Sequence, residues 1–334
     1  MGLGGNLIWT GVFDAIHDQM GQVAIACDTP MITDVLSGYW YRRGRSYQND
    51  PIFLSNPDIG HVDVVPKGKI CHLLDVAFEK LISPNSLRRR WESFVTSRTI
   101  SHWKNAGAPL FVHIDMRNHS YAKAQTKKKT YWKSGGCAAH VIARTFGVSV
   151  KVPKCKFFPT DSENLKIKRL LAAHCVSEQF VAIEPETNRD WFGDLRAWKI
   201  DRWQALVYQI NLLYPNLDIV QLGVGDREVL TGVTDLTGRT SFREAASLIA
   251  RSRLFIGTEG GLMHLAASMG TPSVILWGGI TLPEFAGYPD QHHIICHYVD
   301  CAPCGNLGWC DYDRKCMNSI EVGEVVEAVR SELN

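Results

Sequence analysis

Between Gly257 and His264 the chain reads Gly-Thr-Glu-Gly-Gly-Leu-Met-His. Paired glycines let a backbone approach a ligand closely, and a helix opening behind them offers unsatisfied amide donors carrying a partial positive charge. That chemistry suits a pyrophosphate. The same residues also read as a tight turn whose glycines permit positive φ. His264, between Met263 and Leu265, also reads as an ordinary core histidine. A second group follows a short apolar run: Glu184-Pro185-Glu186-Thr187-Asn188, then Arg196-Ala197-Trp198. The Arg196 guanidinium could clamp a phosphate in two-point geometry, with the Thr187 hydroxyl beside it, or it could be a solvated surface arginine. Asp226, after Gly223-Val224-Gly225, could accept from a ribose hydroxyl or close a turn. Asp115, in FVHIDMRNHSYAK, has His119 four residues on. A carboxylate at a strand end with a histidine nearby fits a general base; a turn cap is the plainer reading.

Cys301, Cys304, Cys310 and Cys316 bring four thiols into a short segment, with Cys296 and His297 just before it. Thiolates at such spacing could close tetrahedrally on structural zinc or iron, although the second pair is too widely spaced for a standard zinc ribbon. Disulfides or free thiols are the other readings. No catalytic metal is implied. Lys123, Lys127, Lys128, Lys129 and Lys133 enclose Tyr131 and Trp132, a cationic stretch suited to nucleic acid, a membrane surface or an acidic acceptor, or a solvated loop.

These residues need elements to hold them. In the second half, Trp203, Leu206, Val207, Ile210 and Leu213 recur at helical spacing, and Leu217–Leu222 has the length of a buried strand. Ser241 and Glu244 have capping-box spacing ahead of Ala245, Leu248 and Ile249. Leu254–Ile256 reads as a strand, Leu262–Met269 as a helix stopped by Gly270-Thr271-Pro272, and Ser273–Trp277 as the next strand. Glu321–Leu333 reads as a terminal amphipathic helix. Such alternation implies an α/β fold with a parallel sheet covered on both faces. The first half is less regular: helices at Leu7–Met20 and Ala138–Phe146, strands at Val23–Cys27 and Leu110–Ile114. A lysine- and proline-containing stretch and a helix at Ser162–Cys175 separate the halves, giving domains at 1–155 and 180–334 with a linker at 156–179.

At 334 residues, two domains are expected. Lys and Arg (36) nearly balance Asp and Glu (34), for a net charge of +2, which argues against a nucleic-acid partner. No apolar run approaches the roughly 18 residues of a spanning helix, and Met1–Gly5 lacks the features of a signal peptide, so a cytoplasmic setting is expected.

The segment LFIGTEGGLMHLAASMGTPSVILWGG (254–279) resembles the donor-binding segment of family 9 glycosyltransferases, the lipopolysaccharide heptosyltransferase family. The likeness extends back through LTGRTSFREAASLIARSRLFIG and forward through CAPCGNLGWCDYDRKCMNSIEVGEVVEAV. It implies a GT-B architecture, two facing Rossmann-like domains with parallel sheets. A nucleotide-diphosphate sugar, plausibly ADP-heptose, would sit on the C-terminal one. Carried across, Glu259 stands where the family usually has aspartate, Gly260 replaces a common threonine, and Gly261 and His264 match. Arg196 takes the place of a phosphate-binding lysine. The resemblance also implies a glycine-rich phosphate-facing turn near the start, at Gly4, Gly5 and Asn6. There Gly5 stands where the family carries its catalytic aspartate. Neither Gly5 nor Asn6 can act as a base, so Asp115 with His119 becomes the replacement, ahead of Asp14. Some members hold a structural iron through cysteines at different spacing.

The function expected is inverting transfer of a sugar, plausibly heptose, to a glycan, glycolipid-core or protein acceptor, at the inner face of a membrane. A nucleotide-sugar epimerase and a non-catalytic nucleotide-sugar binder are the alternatives.

Overall fold

The computed structural model describes residues 3–20, 23–27, 52, 55–56, 111–115, 137–145, 147–186, 193–225, 228–305 and 309–334. His119, Thr187, Asp226 and the cationic stretch at 123–133 lie outside these residues.

Helix α1 (Leu3–Met20) opens the chain and is followed by the parallel strands β1 (Val23–Cys27) and β2 (Phe111–Asp115), then by α2 (Ala138–Thr145). The helix begins four residues before the expected Leu7, so Gly4, Gly5 and Asn6 are helical rather than a turn. Each glycine costs a helix about 1 kcal/mol, but α1 buries Leu7, Trp9, Val12, Phe13 and Ile16, and that packing outweighs the local preference. Gly11 has a packing reason of its own, because a Cβ there would collide with the Lys154 carbonyl oxygen. Beside it, buried Thr10 donates to the Leu7 carbonyl and accepts from the Lys156 amide at 2.7 Å. Strand β2 runs one residue later than its sequence pattern suggests. Asp115 is therefore its last residue, in register with Cys27 of β1.

From residue 150 onward the order is α3 (Asp161–Ala173), β3 (Phe180–Glu184), α4 (Gly193–Arg196), α5 (Ile200–Leu213), β4 (Asp218–Gln221) and β5 (Thr234–Asp235). It continues with α6 (Phe242–Ile249), β6 (Leu254–Thr258), α7 (Gly261–Met269), β7 (Ser273–Trp277), α8 (Pro283–Ala286), β8 (His293–Cys296), α9 (Lys315–Asn318) and α10 (Val322–Leu333). The six strands form one parallel sheet in the order β5-β4-β3-β6-β7-β8. Strands β3, β6 and β7 are buried at every residue, as expected for a parallel sheet covered on both faces. Trp203, Leu206, Val207 and Ile210 of α5 share a core with Val325, Ala328 and Val329 of α10 and with Val181, Ile183, Ile256 and Val274 of the sheet.

The expected capping box is present, with Ser241 Oγ accepting from the Glu244 amide and Glu244 Oε2 from the Ser241 amide. A second box, Thr160 with Glu163, opens α3. Glu163 also pairs with buried Arg243 of α6 at 2.6 Å, and the Arg243 guanidinium lies 4.7 Å from the Phe157 ring centroid. Helix α3 thus occupies most of the stretch read as linker and packs against α6. Contacts group the chain into one compact unit of residues 1–11, 130–141 and 150–334 and another of residues 12–129 and 142–149. Among the described residues, no helix is long and apolar enough to cross a membrane.

Candidate functional site

The strand order fixes where a ligand can sit in the large unit. From β3 the chain winds outward through β4 to β5, then returns to place β6 on the other side of β3. The loops leaving β3 and β6 therefore diverge at a topological switch point, where the carboxyl ends of parallel strands leave a crevice. Of the expected donor residues, Arg196 ends the helix that follows β3, while Glu259, Gly260, Gly261 and His264 follow β6.

Strand β6 ends at Thr258, 1% exposed, and hands over through Glu259 and Gly260 to α7. Gly260 is the N-cap of α7 and is extended at φ −171°. Neither it nor Gly261 has positive φ, so the pair does not form a left-handed turn. Its contribution is closeness. Gly260 supplies no capping side chain, so no N-cap side chain accepts from the first amides of α7. A Cβ on Gly261 would stand 3.1 Å from the Phe242 ring. At the other end Gly270 does take the left-handed conformation, φ 68°, and stops the helix where the sequence places the stop.

Arg196 ends α4, and its Nη2 lies 3.3 Å from Glu259 Oε1, so the two loops are joined by an ion pair. Both side chains are largely shielded, at 19% and 12% exposure. Burial pushes the Glu259 carboxyl above its ordinary range, and the Arg196 charge opposes that shift. Glu259 Oε2, Thr258 Oγ1 and Glu184 Oε2 are buried with no hydrogen-bond partner among the described residues. Glu184 closes β3 in register with Gly257 of β6, and burial pushes its carboxyl up to about 8. Buried polar atoms left unpaired are costly, and three of them cluster at this pair of strand ends. Trp198 serves structure: its ring packs edge-on against Trp203 and its Nε1 donates to the Ile320 carbonyl.

His264 lies one turn into α7, 8% exposed. Its Nδ1 is 2.7 Å from the Tyr288 hydroxyl, which is also 2.7 Å from Cys155 Sγ. Burial, with His292 and Arg196 nearby, lowers His264 to about 3 and keeps the ring neutral. His264 is thus both buried and placed at the loop.

The cysteine segment is organised otherwise. Among the described residues no disulfide joins Cys296, Cys301, Cys304, Cys310 or Cys316. Among the described residues no three His, Cys, Asp or Glu side chains are placed to share a metal ion. The arrangement therefore does not fit the zinc or iron centre that the spacing suggests. Close spacing along the chain brings thiols near one another without aiming four sulfurs at one point. Cys316 instead packs against the backbone at Gly279, where a Cβ would meet its Sγ at 3.3 Å.

The family model of glycosyltransferase family 9 (heptosyltransferase) matches residues 103–308, more than half of the chain. The chain belongs to glycosyltransferase family 9. Within this family, lipopolysaccharide heptosyltransferase 3 of Escherichia coli K12 is 34% identical over 122 residues, which are 34% of this chain and 35% of that protein. The match thus spans about a third of that relative's length. The crystal structure of a family 9 glycosyl transferase from Veillonella parvula superposes with a TM-score of 0.64 at 15% identity, covering 100% of this chain and 95% of that one. E. coli ADP-heptose lipopolysaccharide heptosyltransferase II gives a TM-score of 0.58 at 15% identity, covering 99% and 96%. The fold of this family 9 chain is α/β of the GT-B class.

Of the expected site residues, Arg196 meets Glu259, which is followed by Gly260, Gly261 and His264 beyond the carboxyl end of β6. Gly4, Gly5 and Asn6 are helical, and Asp115 ends β2. Glu184, Thr258 and Tyr288 escaped the sequence reading. Glu184 had a signal, an acid ending an otherwise apolar strand. Tyr288 had none, because its position comes from a loop at φ +53° distant in sequence from its partners.

Proposed function

We propose that this chain is a glycosyltransferase that moves a sugar from a nucleotide-diphosphate donor to a glycan, glycolipid-core or protein acceptor with inversion. The observation that carries the reading is the meeting of Arg196, Glu259 and the uncapped start of α7 at the switch point. A diphosphate leaving group gains negative charge as the glycosidic bond breaks. A fixed guanidinium and free helix-start amides stabilise such charge without reorganising. The Arg196–Glu259 pair holds the guanidinium at the loop before the anion arrives. His264 would add a neutral hydrogen bond, and Thr187 and Asp226 the hydroxyl and ribose contacts.

The donor to test first is ADP-heptose, on the strength of the heptosyltransferase relatives. Inversion requires a base for the acceptor hydroxyl. Asp115 is our assignment, aided by His119, because the helical Gly5 cannot serve. No metal enters these steps. The cationic stretch at 123–133 would meet an acidic acceptor or the cytoplasmic face of a membrane.

The test is incubation with ADP-heptose, with and without a lipopolysaccharide-core acceptor, followed by mass spectrometry. ADP release that depends on the acceptor supports transfer, whereas conversion of donor alone contradicts it. Asp115→Asn should abolish transfer and leave ADP binding intact; retained turnover would remove Asp115 from the mechanism.

A further inference from the structure

Tyr288 is 5% exposed, carries a backbone φ of +53° and joins two side chains remote in sequence. An aromatic residue rarely adopts that conformation, so the surrounding structure must hold it there. Its hydroxyl touches Cys155 Sγ on one side and His264 Nδ1 on the other, each at 2.7 Å, and its ring meets the His264 ring edge-on at 5.4 Å. His292 also packs edge-on against this ring, with centroids 6.0 Å apart.

The protons of this chain can be assigned one by one. All three groups are neutral. Burial raises the thiol to about 12 and the phenol well above its ordinary value, and the imidazole stays unprotonated down to about 3. A phenol has one proton and two neighbours. Imidazole nitrogen is a far better acceptor than thiol sulfur, so the phenol O–H donates to Nδ1 and its oxygen accepts from the Cys155 S–H. The reverse order would leave the thiol proton without an acceptor, since Cys155 has no second hydrogen-bond partner among the described residues.

We propose that Tyr288, steadied by Cys155, is a positioning residue that locks His264 in the tautomer with its proton on Nε2. The ring then presents a neutral N–H to the anionic ligand of the 258–264 loop. The second half of this statement rests on the donor-phosphate reading above; the lock itself does not.

The test uses the full chain labelled with [15N]histidine and two-bond proton–nitrogen correlation spectra. The His264 signals are assigned by their loss in His264→Gln. Wild type should show the Nε2–H pattern. Tyr288→Phe, which keeps the ring and its packing, should convert His264 to a tautomer mixture while the His292 signals stay in place. Cys155→Ser, a stronger donor of the same shape, should keep the wild-type pattern. An Nδ1–H pattern in wild type, or an unchanged one in Tyr288→Phe, would overturn the lock. ADP titration provides the second readout: Tyr288→Phe should weaken binding about 5–10-fold, and adding His264→Gln should cost little more. Fully additive losses would overturn the positioning role. If wild type binds no ADP, the phosphate reading of the loop fails, and the spectra still decide the lock.

Discussion

The loop at 257–264 and the cysteine segment at 296–316 both carry ligating side chains at short spacing, yet the fold treats them oppositely. The loop leaves β6, a central strand, beside the loop leaving β3, and the Arg196–Glu259 ion pair joins the segments beyond the two strand ends. The cysteine segment leaves β8, the last strand of the sheet, with a single neighbour. Its described thiols form no disulfide, and its aromatics Tyr298, Trp309 and Tyr312 face solvent, Trp309 at 78% exposure. Spacing in sequence proposes chemistry; convergence of strand ends at a switch point is what assembles it.

Three perturbations probe this contrast. The largest effect should come from the frame that supports the loop. Arg243→Ala leaves Glu163 without its cation and removes the guanidinium from Phe157, so α6, on which α7 packs, loses its brace. Denaturant unfolding should show a loss of about 3–5 kcal/mol. The Glu163 carboxyl is held below its ordinary value of 4.5, burial opposing and the Arg243 hydrogen bond prevailing. The pair's contribution is therefore present above pH 4.5 and fades as pH falls through the lowered value.

Glu184 should act with the opposite sign. Its folded-state value, raised to about 8 by burial, means that the folded protein keeps a proton the unfolded chain gives up above 4.5. That stability is full below pH 4.5, declines as pH rises and is lost by about pH 8. Glu184→Gln should abolish the decline, gaining roughly 3–5 kcal/mol on wild type between pH 5 and pH 9. A parallel pH profile for the two proteins would mean that Glu184 has a partner or solvent at this strand end.

The smallest effect belongs to the cysteine segment. Cys304→Ser, at an exposed thiol, should shift stability by no more than about 0.5 kcal/mol, and a chelator should leave the melting temperature unchanged. A chelator-induced drop, with stoichiometric metal by elemental analysis, would erase the contrast between the two regions.

Much of this was legible beforehand. The alternation from residue 180 onward gave strands at Phe180, Leu254 and Ser273 and the Ser241 capping box, because buried parallel strands and helix caps are local signals. His264 could be singled out because a strand, a glycine pair and a helix follow one another without interruption, and Arg196 through the resemblance, where it stands in place of a phosphate-binding lysine. Gly4 and Gly5 misled, because glycine marks a turn only where no apolar face pays for the helix instead. The β8 strand and the Tyr288 contacts were illegible. The first is a short run beginning at an exposed histidine, and the second joins residues 133 and 24 positions apart.

The central claim is that the switch-point crevice binds a nucleoside diphosphate through Arg196 and the start of α7. Calorimetric titration of ADP into wild type and Arg196→Met tests it most directly. The account predicts saturable one-to-one binding by wild type and a loss of about 10–100-fold in the variant, with folding preserved. Equal affinity in the two proteins, or no binding by wild type, would contradict it.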